Sequence, residues 1–256
     1  MFANYHTHTW RCNHASGTER EYVEQAIGGG IRILGFSDHT PYPFSDGHRS
    51  GFRMSLEQAA DYFDTVSELK RIYAGQVEIH MGLEAEYYPA CFDALLDFLK
   101  DFPCEYLILG QHFTNNETDG VPSGAPTREE AVLARYVDQM LGAMGTGKFT
   151  YAAHPDLLNW KGSPELYTQH MRRLCRGAKD LGILLEINCL GLYEGRNYPN
   201  RAFWEIAGEA GNQVVIGCDA HQPEALRRPQ VEAAARALAA ECGLPVLETV
   251  PLVKPV

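Results

Sequence analysis

Near its start the chain reads NYHTHTWRCNHASGT, residues 4–18, and sets His6, His8 and His14 within nine positions. Residues two apart on a strand share a face. His6 and His8 therefore point the same way, and Asp219 and His221 in GCDAH make a second such pair. Imidazole nitrogens and carboxylate oxygens without thiolates suit catalytic zinc, manganese or iron, with one coordination position left open. A water held at that position loses a proton far more readily than bulk water and becomes a nucleophile at neutral pH.

Further candidates follow short apolar runs: Asp38 and His39 after IRILGFS, Glu84 in GLEAEY, His112 in GQHF and His154 in AHPD. Taken singly, each of these histidines is ordinarily a hydrogen-bonded structural residue. Taken together, polar residues at six strand ends need six separate structural explanations, or one if they meet at a metal centre. Three histidines lack this placement. His80 is mid-strand and is expected to be structural; His170 lies in an amphipathic helix and is expected to be solvated. His48 sits in the loop DGHRSG, where it can face a substrate.

The elements that must carry these residues alternate. Apolar, often β-branched runs at 2–6, 31–37, 77–87, 106–113, 148–154, 182–191 and 213–220 predict seven strands. Amphipathic stretches lie between them, among them REYVEQAIGGG, SLEQAADYFDTVSELKRIY, EEAVLARYVDQMLGAM, PELYTQHMRRLCRGAKDLG and NRAFWEIAGEAG. Such alternation predicts parallel strands with crossover helices. A closed barrel and an open doubly wound sheet both satisfy the periodicity. The polar strand ends favour the barrel, because there they converge on one mouth, whereas an open sheet spreads them along a line.

The 256 residues carry 22 basic and 33 acidic side chains, a formal charge of −11 that repels nucleic-acid backbones and anionic lipid surfaces. The 45% apolar content is sufficient for one sizeable core, so a single domain over 1–256 is expected. Seven cysteines without a CxxC pair argue against a disulfide framework or a thiolate zinc site and for a reducing cytoplasm. No segment has the apolar length of a membrane span or of a secretion signal.

In order, HTHTWRCNHASGT, GFSDHTPYPF, GLEAEY, GQHF, AHPD and GCDAH resemble the successive motifs of the PHP (polymerase and histidinol phosphatase) superfamily, in its histidinol-phosphate-phosphatase-like branch. The resemblance runs from Tyr5 to His221. It implies a distorted (β/α)7 TIM-like barrel with three divalent or transition-metal ions, zinc, manganese or iron, at the C-terminal ends of the strands. By this resemblance one ion takes His6, His8, Glu84 and Asp219, a second Glu84, His112 and His154, and a third His14, His39 and His221. It further implies hydrolysis of a small phosphomonoester such as L-histidinol phosphate by a metal-bridging hydroxide without a phosphoenzyme, with Glu84, Asp219 and His221 closest to the catalysis.

A phosphate also calls for a guanidinium or ammonium clamp. Arg196 in LGLYEGRNYP is the first candidate, with Arg53 in SGFRMS, Lys161 in NWKG and His48 after it; Arg11 and Arg20 are weaker. Two features depart from the branch: Gly110 and Gln111 replace a Ser-Val pair before His112, and the loop 43–54, PFSDGHRSGFRM, is distinctive. Both bear on the leaving group, so a cyclic phosphodiester or another sugar phosphate stands as a second substrate reading and non-catalytic metal binding as a distant third. Nuclease activity is disfavoured by the acidic charge.

Overall fold

The computed structural model describes residues 1–256. In chain order the first half comprises β1 (Ala3–Asn4), α1 (Glu19–Gly28), β2 (Ile33–His39), α2 (Ala59–Ile72), β3 (Glu78–Ala85), α3 (Phe92–Leu99) and β4 (Tyr106–Leu109). There follow β5 (Phe113–Thr114), β6 (Val121–Pro122), α4 (Glu130–Gly145), β7 (Tyr151–Ala152) and α5 (Pro164–Asp180). The chain ends with β8 (Leu184–Asn188), α6 (Cys189–Glu194), α7 (Arg201–Ala210), β9 (Val214–Gly217) and α8 (Pro229–Glu241).

Seven strands pair in parallel in the order β1-β2-β3-β4-β7-β8-β9. The first and last meet through a single bridge, Thr7 with Ala220. There the His8 amide donates to the Ala220 carbonyl at 2.9 Å and the Ala220 amide to the His6 carbonyl at 3.2 Å. The sheet is thus a barrel closed at its mouth by one bridge, the distorted (β/α)7 form expected. The small antiparallel hairpin of β5 and β6 lies outside the expected repeat.

Alternation along the strands makes two cores. In β4, Tyr106 and Ile108 join Tyr5, Tyr151, Ala153 and Val215 in one cluster, while Leu107 and Leu109 pack with Leu34, Phe36, Leu185 and Ile187 in the other. The smaller cluster fills the barrel and the larger lies under the helices. Burying each such side chain contributes roughly 1.5–3 kcal/mol. The Tyr106 hydroxyl shares its one proton between the Tyr5 carbonyl at 2.7 Å and the Phe36 carbonyl at 3.0 Å, which locks this plug beneath the mouth.

Helix ends follow local chemistry. Thr18 and Glu21 form a capping box at α1, and Ser163 caps α5 ahead of Pro164. On α5 the inward stripe Tyr167, His170, Met171 and Leu174 has i, i+3, i+4, i+7 spacing. His170 is therefore buried on that face, 3.4 Å from Glu130, rather than solvated as expected from the sequence. His80 lies between Glu78 at 2.9 Å and Glu105 at 3.4 Å, in the structural setting expected for it.

Candidate metal centre

The C-terminal ends of the strands bring His6, His8, His14, His39, Glu84, His112, His154, Asp219 and His221 to one mouth. His6 Nε2 and His8 Nε2 are 3.1 Å apart, and each approaches Asp219 Oδ1, at 3.5 and 3.2 Å. His154 Nε2 is 2.8 Å and His112 Nε2 3.6 Å from Glu84 Oε1. His14 Nε2 faces His221 Nε2 at 3.0 Å. Donor atoms of His14, His39 and His221 lie within 4.8 Å of one another, as do those of His6, His8 and Asp219, and of His6, Glu84 and His154. A further group of the same kind, His8, His39 and Glu84, puts His39 between the first and third ions implied by the resemblance.

Glu84 stands at the centre. Its carboxylate has five imidazoles within 3.6 Å, those of His6, His8, His39, His112 and His154. Both of its oxygens are buried, yet neither makes an aligned hydrogen bond, and the same is true of His39 Nδ1, 3.2 Å from Oε2. Buried polar atoms are almost always paired, and an unpaired carboxylate is costly. Lone pairs that converge without a shared proton are the arrangement a cation completes, so the nitrogen and oxygen donors here fit metal ions.

Outside this ring, a set of acceptors turns the imidazoles. A carboxylate only accepts, so His6 Nδ1 donates to Glu186 Oε1 at 2.8 Å and His112 Nδ1 to Glu86 Oε1 at 2.8 Å, leaving both Nε2 atoms facing Glu84. His8 Nδ1 lies 3.4 Å from Asp38 Oδ1, and His14 Nδ1 donates to the Cys12 carbonyl at 2.7 Å. Asn188, the cap of α6, donates to Glu186 at 3.0 Å and to Asp219 at 3.1 Å. Glu186, Glu86 and Asn188 were not singled out in the sequence. Their signal was there: Glu86 follows Glu84 by two, and Glu186 and Asn188 are two apart in the otherwise apolar run LLEIN.

Two glycines and two strained residues make room for this. A Cβ on Gly110 would sit 1.9 Å from Glu84 Oε1, and one on Gly217 1.8 Å from Glu186 Oε1. Glycine at position 110 thus leaves space for the central carboxylate. His154 and Asp219 have φ of 29° and 49°, a left-handed backbone that non-glycine residues adopt at a cost of about 1–3 kcal/mol.

The charges divide sharply. Burial pushes the Glu84 carboxyl up, but His112, His6 and His39 outweigh it and hold it well below its ordinary range; His6 and His8 do the same for Asp219. Burial also pushes His8 down, but Asp219 and Asp38 raise it to about 9. Burial together with the neighbouring His8 lowers His39 well below its usual value and His221 to about 3.

A cavity of about 390 Å³ opens over the cluster, lined beyond the histidines and carboxylates by Gly51, Phe52, Leu157, Leu190, Glu194, Arg196 and Tyr198. Arg196 donates to Tyr198 Oη at 2.8 Å and to Glu194 at 2.7 Å. The other three substrate candidates are placed elsewhere. Arg53 is buried and spends its guanidinium on Glu86, Glu117 and the Thr40 carbonyl. His48 bonds Glu117 at 2.9 Å in a neighbouring hollow, and Lys161 is exposed away from the cavity lining.

The model of the PHP domain matches residues 4–189. A "Probable histidinol-phosphatase" of Deinococcus radiodurans is 31% identical over 227 residues, 85% of either chain. The histidinol-phosphatase of Bacillus subtilis is 29% identical over 248 residues, covering 85% of this chain and 92% of that one. Among solved structures, histidinol phosphate phosphatase from Lactococcus lactis, complexed with zinc, L-histidinol and phosphate, superposes with a TM-score of 0.75 at 18% identity, covering 97% of this chain and 98% of that one, and so shares the fold. With the family model spanning most of the barrel and a relative this similar over most of its length, the chain belongs to the PHP domain family.

Proposed function

We propose that this chain is a metal-dependent phosphatase that hydrolyses L-histidinol phosphate to L-histidinol and inorganic phosphate. The observation that carries the metal dependence is the Glu84 carboxylate, buried, without an aligned hydrogen bond and ringed by five imidazoles. The substrate reading rests on kinship with the histidinol-phosphatases over most of the chain.

In this reading His6, His8, Glu84 and Asp219 hold one divalent ion, Glu84, His112 and His154 a second, and His14, His39 and His221 a third. Bound there, such ions supply Lewis-acid neutralisation of phosphate oxygens and acidify water. Glu84 and Asp219 remain ionised, as their imidazole neighbours dictate, and Glu186, Glu86 and Asp38 fix which nitrogen each histidine presents. Arg196 clamps the phosphate from the cavity wall, and Phe52, Leu157 and Leu190 exclude water around the leaving group. No helix is long and apolar enough to cross a membrane, and all seven cysteines are free; a cytoplasmic setting, a single domain and zinc, manganese or iron as the ions belong to the same proposal.

The test is phosphate release from L-histidinol phosphate, cyclic phosphodiesters and sugar phosphates, by protein loaded with each metal and by chelator-stripped protein. Release from L-histidinol phosphate that disappears with the metal is expected. Turnover of a cyclic phosphodiester alone would replace the substrate, and tight metal uptake with no turnover of any ester would leave a binding protein.

A further inference from the structure

The cavity over the cluster holds three carboxylates in its lining, Glu84, Asp219 and Glu194. The first two point into the imidazole ring. Glu194 does not: it ends α6, is 42% exposed along its side chain, and has no histidine partner. Arg196 contacts it through Nε and a terminal nitrogen, both at 2.7 Å and both on Oε2. A carboxylate accepts at about four positions, so Oε1 remains for a ligand. The last carbonyls of α6 add partial negative charge at the same corner.

The remaining lining is apolar: Phe52, Leu157 and Leu190, with the Tyr198 ring. Phe52 stands edge-on to His39, with centroids 5.2 Å apart, and stacks on Phe113 at 5.8 Å, so its ring is fixed in place. The wall therefore offers one anion-binding group, Arg196, one cation-binding group, Glu194, and apolar surface. A ligand complementary to it carries a phosphate, a primary ammonium and a flat, largely uncharged ring. Of the two nitrogenous groups on L-histidinol phosphate, the ammonium is charged at neutral pH and needs a carboxylate, while the imidazole is mostly neutral and suits the apolar wall.

We infer that Glu194 is the specificity residue that binds the substrate ammonium, a reading that rests on the phosphatase function proposed above. Arg196 then couples the two ends, holding Glu194 in place with one edge while it meets the phosphate with another. A charge-assisted hydrogen bond of about 1.5–3 kcal/mol corresponds to roughly a tenfold to hundredfold preference for aminated substrates.

The experiment compares metal-loaded wild type and Glu194→Gln on L-histidinol phosphate and on its des-amino analogue, 3-(imidazol-4-yl)propyl phosphate. Binding of L-histidinol is measured by calorimetry alongside, and metal content by elemental analysis. The expected result is that Glu194→Gln lowers kcat/KM for the aminated ester at least about tenfold more than for the analogue, chiefly through KM, and weakens L-histidinol binding by a similar factor at unchanged metal content. An equal loss on both esters, or no loss on either, overturns the assignment while leaving the phosphatase reading intact. Failure of the wild type to release phosphate from L-histidinol phosphate overturns that reading, and the assignment with it.

Discussion

Charge is buried in two different ways in this barrel. Around Arg53 every partner is found within the chain: both Glu86 oxygens at 3.1 Å, Glu117 at 2.7 and 3.0 Å and the Thr40 carbonyl at 3.0 Å. Arg11 is likewise enclosed by Glu19, Asp61 and Thr65. At the mouth, carboxylates and imidazoles of comparable burial come within 3.6 Å of one another and leave both Glu84 oxygens and His39 Nδ1 without a hydrogen bond. Both regions bury polar side chains, the first drawn largely from loops and helices and the second from strand ends. A network completed from within holds the scaffold, and one whose buried lone pairs face one another unpaired requires something from outside.

Removing the centre of the incomplete network has the largest expected effect. Glu84→Ala should reduce bound metal by about two ions and cut phosphate release at least about a thousandfold, since cation stabilisation of the reacting phosphate is worth several kcal/mol. The variant should still fold, because the neighbouring imidazoles can shed their protons once the carboxylate is gone and the lost group ties no second element by a hydrogen bond. Elemental analysis with a phosphate assay checks this, and near-normal turnover would dissolve the contrast between the regions. Breaking the complete network should act first on stability. Arg53→Met leaves Glu86 and Glu117 buried without their counter-charge and should cost about 3–5 kcal/mol of stability, read as a drop in Tm of roughly 10 °C. A Tm within a degree or two of wild type would mean that Arg53 is no clamp.

Two changes probe how tightly the mouth is built. Gly110→Ser places an atom 1.9 Å from Glu84 Oε1 in a ring of imidazoles that gives it nowhere to go. Loss of about two orders of magnitude in kcat/KM is expected, with metal binding weakened and Tm lowered by several degrees; full activity would show that Glu84 has a second stable position. Glu186→Gln keeps the shape but removes the charged acceptor of His6 Nδ1. A tenfold to hundredfold fall in metal affinity should follow, and competition with a chromogenic chelator measures it. An unchanged affinity would remove Glu186 from the set that orients His6.

How much of this was legible in the sequence depends on whether a residue's role is set by its own strand or by its neighbours. The seven strands were visible because each apolar run carries its own periodicity. Residues such as His6, His39, Glu84 and Asp219 could be picked out because each lies just at or past a strand end, where the barrel mouth must be. Arg53 could not be resolved in this way. Its loop sequence, SGFRMS, reads as solvent-exposed, and its burial follows from Glu86 and Glu117, which come from β3's end and the β5–β6 turn. Lys161 and His48 were equally invisible as non-lining residues, because their distance from the mouth is set by loops without periodicity. His170 failed for the opposite reason: the helix was recognised, but which of its faces met α4 was not. Gly110 stood out before His112, but only the position of the Glu84 carboxylate shows what its missing side chain makes room for.

Arg196 offers the smallest and most discriminating test. It belongs to neither region, since it is 42% exposed along its side chain and its bonds to Glu194 and Tyr198 Oη leave it at the cavity edge. If it clamps the phosphate, Arg196→Ala should raise KM and lower kcat/KM roughly tenfold, as expected for one charge-assisted contact in a half-exposed position. Metal content and Tm should hold, because no metal-centre residue leans on it. Arg196→Lys sharpens the result. Lysine keeps the charge but loses the planar fork that spans Glu194, Tyr198 and a phosphate together, so partial recovery of KM points to charge and no recovery to geometry. Kinetics unchanged in both variants would mean that Arg196 only braces the wall, and the phosphate would then be held by the metal centre without a side-chain clamp.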